Sequence, residues 1–569
     1  MVNCKDKLYL FGDNADNRKI YASKGDREGE ILSRTSAFAK QKIETLIEEI
    51  KRVQTRSIVV INTGNEEENF ALCRIFIYYI EKASDEEKAL FFRCLRISVF
   101  GDPHRQTEYE TLASCGYGCI SYVNKYQQIA MDFIERYPLT KFMDGRHIDY
   151  QTSLIKKETE IKVFLVGFGK TNRQIFLTSV ANNQFLCEGE KEPALKQVQY
   201  VIFDKDVFAK KKYLEETYYR FHTLLESAKE ADYLPLPALP SKEEYCKVED
   251  YNLCVSEIEN RLAPVETSVN YVVIACGSDE ENISLAVKLM QENSGRFTLF
   301  VKSRNIRKED TPLQGADCYF IGNEEECVFH IDEIIGDRIY RMSQLRNAIY
   351  DLEYDITCGG VTPTEAYVQT NREKAEKSWF TGKSVLERES STYGCLSLRS
   401  KLNLMGLDYC GKEENDLPAL SQEEYIALYA KGDLPDFATY NLTADGKPIV
   451  CYTLDFPDSR RKNMAIHEHL RWNSFMLSKG MIPATKVQIL EEQAERGGKL
   501  RYTNGKNYAM RRHGNLTTFE GLVEFRQMVA KRDGCDEAEK DVIKYDYQLL
   551  DDAFWLLEKS GCKIVRVKK

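Results

Sequence analysis

Two stretches of this chain repeat one pattern at a single offset, and that repetition limits the folds open to it. SIVVINTGNEEENFALCRIF (57–76) and NYVVIACGSDEENISLAVKLM (270–290) each run from an apolar segment into a glycine, then acids, then an asparagine. Gly64 aligns with Gly277, Glu68 with Glu281 and Asn69 with Asn282, and apolar residues then recur at helical spacing. The next segments repeat in the same order. ISVFGDPHR and GYGCISYVN (97–124) are answered by FTLFVKSRN and GADCYFIGN (297–323). A buried strand, a glycine turn and an amphipathic helix form the unit of a doubly wound parallel sheet. The expected fold class is therefore α/β, with two tandem Rossmann-like sheets made by internal duplication.

The opening unit of the second copy is VFLVGFGKTNRQIF (163–176). Its glycines, Gly167 and Gly169, would let backbone N–H groups approach an anion at the positive end of a helix. Asn172 stands where the dinucleotide fingerprint has its third glycine, so the motif is G-x-G-x-x-N. It is not a Walker loop: Phe164 occupies the position of that motif's first glycine. Nucleotide binding through Gly167, Gly169, Lys170, Thr171 and Asn172 is one reading; a tight βα turn that binds nothing is the other. YVIFD (200–204) is a later strand that ends in Asp204, either a ribose-binding acid or a cap on the following turn. Its distance from Asn172 exceeds the usual spacing and implies an inserted loop within ANNQFLCEGEKEPALKQ. Cys276 and Gly277, which close the strand NYVVIACG (270–277), are further nucleotide-binding candidates.

The first copy opens with KLYLFG (7–12), followed by an amphipathic helix at 36–53. There the turn reads Gly12-Asp13-Asn14, so the second glycine is missing and an acid sits in the loop. That acid would repel a pyrophosphate, and copy one reads as a degenerate partner that stabilises or dimerises.

Composition narrows the class. A chain of 569 residues exceeds one core and implies several domains. A net charge of −10 argues against a general nucleic-acid binder. No apolar run is long enough to span a bilayer, and the N-terminus lacks a secretory segment. The 17 cysteines form no CxxC pair, the nearest spacing being Cys115-Gly-Tyr-Gly-Cys119, and read as reduced thiols of a cytoplasmic protein.

GFGKTN (167–172), YVIFD, VVIACGSDEEN (272–282) and FTLFVKSR…GADCYFI together resemble the TrkA/RCK family of nucleotide-binding regulatory domains. The resemblance spans roughly residues 1–345. It implies a ligand such as NAD(H), ATP/ADP or a cyclic nucleotide, whose binding reshapes a homo-oligomer without catalysis.

Beyond it, 325–355 reads as helical, and 356–460 holds the candidate helices PTEAYVQTNREKAEKSWF and SLRSKLNLMGLDY. ERESSTYG (387–394) reads as a turn, and ENDLPALSQEEY as a linker or helix start. The last block opens with NMAIHEHLRWNSFMLSKGM (463–481), a buried helix by its apolar spacing. His467-Glu468-His469 invites a metal, but a zincin would need histidine where Arg471 stands, and no metal is expected. Glu468, His469, Arg471 and Trp472 form either a ligand pocket or a packed polar cluster. The insert near 484–512 suggests a hairpin around Thr503-Asn-Gly. Ala465, His469, Trp472 and Gly480 are similar to the core of the ryanodine-receptor repeat (RyR) domain, and HGNLTTFEGLVEF and WLLEKSGCKIVR to its later segments. That resemblance implies a mainly α-helical ligand or interaction module and, by analogy, antiviral defence signalling.

The expected domains are 1–150, a degenerate Rossmann-like domain; 158–350, the nucleotide-binding copy; 351–454, a helical connector; and 455–569, the RyR-like domain. The function expected is a cytoplasmic nucleotide sensor that switches an oligomer, with an effector protein as a further partner, and neither nucleic acid nor membrane insertion. The alternatives are an NAD(P)-dependent oxidoreductase or nucleotide-hydrolysing enzyme, and an interaction scaffold with vestigial sites.

Overall fold

Short apolar strands ending in glycine build two parallel sheets, flanked by helices, in the computed structural model. It describes the chain except residues 1–5, 33–35, 102–104, 106–107, 110–118, 191–192, 218–228, 240, 294, 337, 360–365, 367–369, 372–373, 376–377, 380–381, 415–416, 431–437, 442–447, 452–459 and 568–569. The chain divides into two units, and neither is one continuous segment. The first comprises 1–132, 322–348 and 370–392; the second comprises 133–321, 349–369 and 393–569. The four segments expected from sequence are thus redistributed over two bodies.

The first unit contains β1 (Lys7–Phe11), α1 (Ala15–Ala22), β2 (Glu28–Leu32), α2 (Ser36–Val53), β3 (Ser57–Ile61), α3 (Glu66–Lys82), α4 (Asp85–Cys94), β4 (Leu95–Phe100) and β5 (Ile120–Val123). Its strands run parallel in the order β2-β1-β3-β4-β5. Side chains alternate between the faces. Tyr9, Phe11, Val59, Ile61, Ile97 and Val99 pack with α2 and α3. Leu8, Leu10, Ile58 and Val60 pack with Val328, Phe329 and Ile331, residues supplied from beyond the second sheet. Strand β2 was not legible because EGEIL is a half-exposed edge strand with glutamates at alternate positions. The helix expected within 107–116 lies mostly outside the described residues.

In the second unit, β6 (Glu160–Val166), α5 (Lys170–Asn182), β7 (Gln199–Asp204), α6 (Val207–Thr217), β8 (Lys242–Lys247), β9 (Ser268–Ile274), α7 (Asp279–Asn293), β10 (Thr298–Lys302) and β11 (Cys318–Ile321) follow one another. All neighbours are parallel, in the order β8-β7-β6-β9-β10-β11. Strand order reverses between β6 and β9, which makes their carboxyl ends a topological switch point. The expected loop between α5 and β7 is instead a hairpin, Phe185–Cys187 with Ala194–Lys196. Phe133, Tyr137 and Phe142 cover Tyr271, Phe300 and Tyr319 on one side of this sheet.

The remainder of this unit is mostly helical. The segment SLRSKLNLMGLDY splits into α8 (Leu398–Leu404) and β12 (Leu407–Gly411), broken at Gly406 with φ +73°. Next come α9 (Arg460–Ser478), α10 (Lys486–Glu491), α11 (Phe519–Asp533), α12 (Lys544–Asp551) and α13 (Ala553–Lys559). Strand β13 (Cys562–Arg566) pairs antiparallel with β12, so the connector and the C-terminal block share a ribbon. The stretch read as a turn, 387–394, lies in the helix Val385–Leu396. Ser384 and Glu387 bond reciprocally at its start, and Thr392 bonds back to the Arg388 carbonyl, which accommodates the small polar residues. The hairpin of the insert, Gln493–Arg496 with Lys499–Tyr502, turns at Gly497-Gly498, both with positive φ, rather than at Thr503-Asn-Gly. Among the described residues no helix is long and apolar enough to cross a membrane.

Candidate functional site

The turn after β6 is shaped by one obligatory glycine. Gly167 has φ +80°, and a Cβ there would lie 2.3 Å from Cys276 Cα and 2.7 Å from the Ala275 carbonyl oxygen. Its N–H donates to Phe203 O at 2.8 Å, continuing the β6–β7 ladder. Phe168 turns its ring inward against Phe176 and Tyr245 and donates its N–H to Asp204 Oδ2 at 2.6 Å. Gly169 then N-caps α5 with no side-chain bond, at φ −72° and ψ −172°. Any residue adopts that conformation, and a Cβ at Gly169 would meet nothing within 4 Å. Neither the backbone nor a neighbour demands glycine here. Its effect is to leave the space over the helix N-terminus open.

Asn172, in place of the fingerprint's third glycine, is fully buried. Its amide donates to Val166 O at 3.1 Å, Gly167 O at 2.7 Å and Val273 O at 3.4 Å, tying β6 to β9. The first unit repeats this device. Asn17 Nδ2 donates to Phe11 O at 3.1 Å, Gly12 O at 2.6 Å and Asn62 O at 3.0 Å. Asn69 and Asn282 form a second matched pair. Asn69 accepts from Thr63 N at 2.8 Å and donates to Phe100 O at 2.8 Å. Asn282 accepts from Cys276 N at 2.9 Å and donates to Lys302 O at 3.0 Å.

The two copies differ at the cap. In the first unit Asn14 occupies the place of Gly169; its side chain accepts from Asn17 N at 2.9 Å and donates to Asn62 O at 2.6 Å. The N-terminus of α1 is therefore closed by the protein itself, while Asp13 is exposed and pairs with Arg18. The acid in the loop was legible in sequence; the capping role of its neighbour was not.

The other strand end at the switch point is occupied. Ser278 and Glu281 form a reciprocal cap on α7, at 2.8 and 3.2 Å. Glu281 fills the space beside Gly277, where a Cβ would fall 2.0 Å from its carboxylate. Cys276 is half-buried with its Sγ 3.3 Å from Asn282 Oδ1, and burial pushes its thiol pKa up to about 11. Thr171 is buried in the first turn of α5 and Lys170 is exposed. Gly167, Gly169, Asn172, Cys276 and Gly277 thus meet at one edge of the sheet, and Asp204 joins them through Phe168. Lys210 and Tyr251, which sequence reasoning missed, also hold Asp204, on Oδ1 at 2.6 Å and on Oδ2 at 3.2 Å. Burial opposes ionisation of Asp204, yet Lys210 and the N–H groups of Phe168 and Asp206 outweigh it and hold the pKa below the ordinary value.

The C-terminal candidates lie on α9. Glu468 and Arg471 are both buried and form a bidentate pair, 2.8 Å on each arm, with Lys401 Nζ 2.9 Å from the same carboxylate. His469 lies between Thr517 O at 2.9 Å and Asp546 at 3.2 Å. Burial disfavours its cation, but Asp546 prevails and raises its pKa. His467 turns elsewhere, to Gln184 O at 3.2 Å, so the two histidines serve different neighbours. Trp472 is half-buried, stacked on His469 and edge-on to His513. These four residues make a packed polar cluster with Trp472 at its rim. A cavity of about 560 Å³ lies elsewhere, beside Ile283, Val287 and Ile306 on the outer side of α7.

No protein-family model matches this chain, and no curated protein matches it.

Proposed function

We propose that this protein is a nucleotide-responsive regulator whose phosphate-binding turn is Gly167–Asn172. One observation carries the reading. The cap position of α5 is a glycine that neither conformation nor packing requires, and the same position in the first unit is plugged by Asn14. An uncapped helix N-terminus at a switch point favours an anion through its N–H groups and dipole. The strand order of the second unit, which is that of the dinucleotide-binding fold, and the TrkA/RCK resemblance support the same assignment.

A regulatory role is favoured over a catalytic one because the functional groups at the turn are engaged. The Cys276 thiol has a raised pKa, and Asp204 is hydrogen-bonded on both oxygens. Helix α5 also provides a route outward. It is buried along nearly its whole length, and the backbone carbonyl of Gln184, two residues beyond its end, accepts from the imidazole Nδ1 of His467 on α9. A ligand favouring one placement of α5 would bias the RyR-like block by its difference in affinity for the two states. NAD(H), ATP/ADP and cyclic nucleotides are the ligand classes that follow, with switching of a homo-oligomer or an effector partner as the output.

The test is mass spectrometry of small molecules released from denatured protein, followed by thermal shifts with a nucleotide panel. A nucleotide recovered near one per chain and lost on Gly169→Asp supports the reading. A chain that comes up empty and ignores NAD, ATP and cyclic nucleotides refutes it.

A further inference from the structure

Asp204 ends β7, where dinucleotide folds place the acid that takes the ribose hydroxyls. A carboxylate offers about four lone-pair directions. Here each oxygen already has two donors. Oδ1 accepts from Asp206 N at 2.8 Å and Lys210 Nζ at 2.6 Å; Oδ2 accepts from Phe168 N at 2.6 Å and Tyr251 Oη at 3.2 Å. The residue is 1% exposed. We infer that Asp204 positions the phosphate turn and does not read the sugar, so that the site takes a nucleotide by its phosphates and treats ribose and 2′-deoxyribose alike. This rests on the nucleotide site proposed above.

The geometry explains why a sugar hydroxyl gains little here. To reach either oxygen it must displace a donor that is already present. Displacing Phe168 N–H frees the peptide between the two glycines and leaves a buried donor without its acceptor. Displacing Tyr251 leaves a buried phenol to find another acceptor. Displacing Lys210 breaks the shortest charged contact on Oδ1. In each case one hydrogen bond is exchanged for another, with no net contact added. Phe168 is further fixed by its ring against Phe176 and Tyr245, so the acid and the aromatic pair hold one peptide from both sides.

The experiment titrates the full chain with ATP and with 2′-deoxy-ATP by calorimetry, repeats both with Asp204→Asn, and follows amide hydrogen exchange of Phe168 without ligand. The two nucleotides are expected to bind wild type within about threefold of each other. Asp204→Asn weakens both together, and Phe168 loses protection while β6 and β9 keep theirs. A hydroxyl bonded to a free carboxylate would be worth more than about tenfold. A preference for ATP of that size, abolished in Asp204→Asn, overturns the inference, as does unchanged protection of Phe168. If neither nucleotide binds wild type, the phosphate site itself fails and the statement about sugars falls with it, while the exchange result still decides whether Asp204 holds the turn. Should Asp204→Asn not fold, the wild-type ratio decides the sugar question by itself.

Discussion

Replacing Gly169 by asparagine would give the second unit the cap that Asn14 gives the first. The side chain has room, because a Cβ at Gly169 meets nothing within 4 Å, and φ −72° with ψ −172° suits an N-cap asparagine. Losing glycine's freedom in the unfolded chain stabilises by about 0.4–1 kcal/mol. The cap hydrogen bond adds a few tenths of a kcal/mol over glycine. The sum, about 0.5–1.5 kcal/mol, corresponds to a rise in melting temperature of roughly 0.6–2 °C for a unit of this size. The same amide would fill the space over the helix N-terminus and reduce nucleotide affinity by more than about tenfold, or ~1.4 kcal/mol. Differential scanning fluorimetry with and without ATP or NAD reads both effects in one plate. The expected outcome is a ligand-free protein that melts higher and a ligand-induced shift that disappears. A variant that melts lower would refute the open cap, and one that melts higher yet binds nucleotide as before would refute the phosphate site.

Three further outcomes follow from the buried polar groups. Asn172→Gly, which restores the dinucleotide fingerprint in sequence, is expected to destabilise by about 1–3 kcal/mol in urea unfolding, since it removes three buried hydrogen bonds to carbonyls at the ends of β6 and β9; a gain in stability would sink the pinning role. Glu468→Gln should cost about 3–5 kcal/mol because Arg471 and Lys401 then lose a buried countercharge, and a loss below 1 kcal/mol would show the cluster to be hydrated. His467 gives a pH dependence with a definite sign. Burial lowers its pKa from 6.5 to about 4. Above pH 6.5 neither state binds the proton; between 6.5 and 4 only the unfolded chain does, so stability falls with pH across that window and the loss is complete below it. His469, raised by Asp546, acts above 6.5 and in the opposite sense, stabilising as pH falls through its folded value. Unfolding free energies measured from pH 7 to 4 should show a slope that His467→Gln flattens.

The sheets were legible because their central strands are near-continuous apolar runs that lead into glycine, as in SIVVINTG and VFLVG, where periodicity and turn chemistry agree. Strand β2 was not, because an edge strand carries glutamates and no apolar signature. The glycine turn, Cys276 and Gly277 were candidates from sequence, and their meeting at one edge of the sheet is what the structure adds. The role of Asn172 was hidden by reading it against a glycine template. The sequence did hold the signal, since GDNADN and GFGKTN both end in asparagine five residues after their first glycine. Lys210 and Tyr251 could not be found this way, because Asp204 recruits them across the βα connection and from the loop after β8, with no fixed spacing. In the C-terminal block, the apolar spacing within 463–481 located the helix; which of its polar residues face inward depended on Thr517, Asp546 and Lys401, contributed from distant parts of the chain.

The way the first unit is completed has a consequence for how the chain emerges from a ribosome. One face of its sheet, bearing Leu8, Leu10, Ile58 and Val60, is covered by Val328, Phe329 and Ile331. Roughly 200 residues must be translated between β5 and that cover, on the order of 10–40 s at ordinary elongation rates. During that interval an apolar sheet face lacks its native lid, in a chain that is simultaneously making a second sheet of similar pattern. A nascent-chain holdase, or slow release of the first unit from the exit port, is the safeguard this wiring calls for. A chain stopped at Ile321 would carry every strand of both parallel sheets and still leave the first one without this part of its cover.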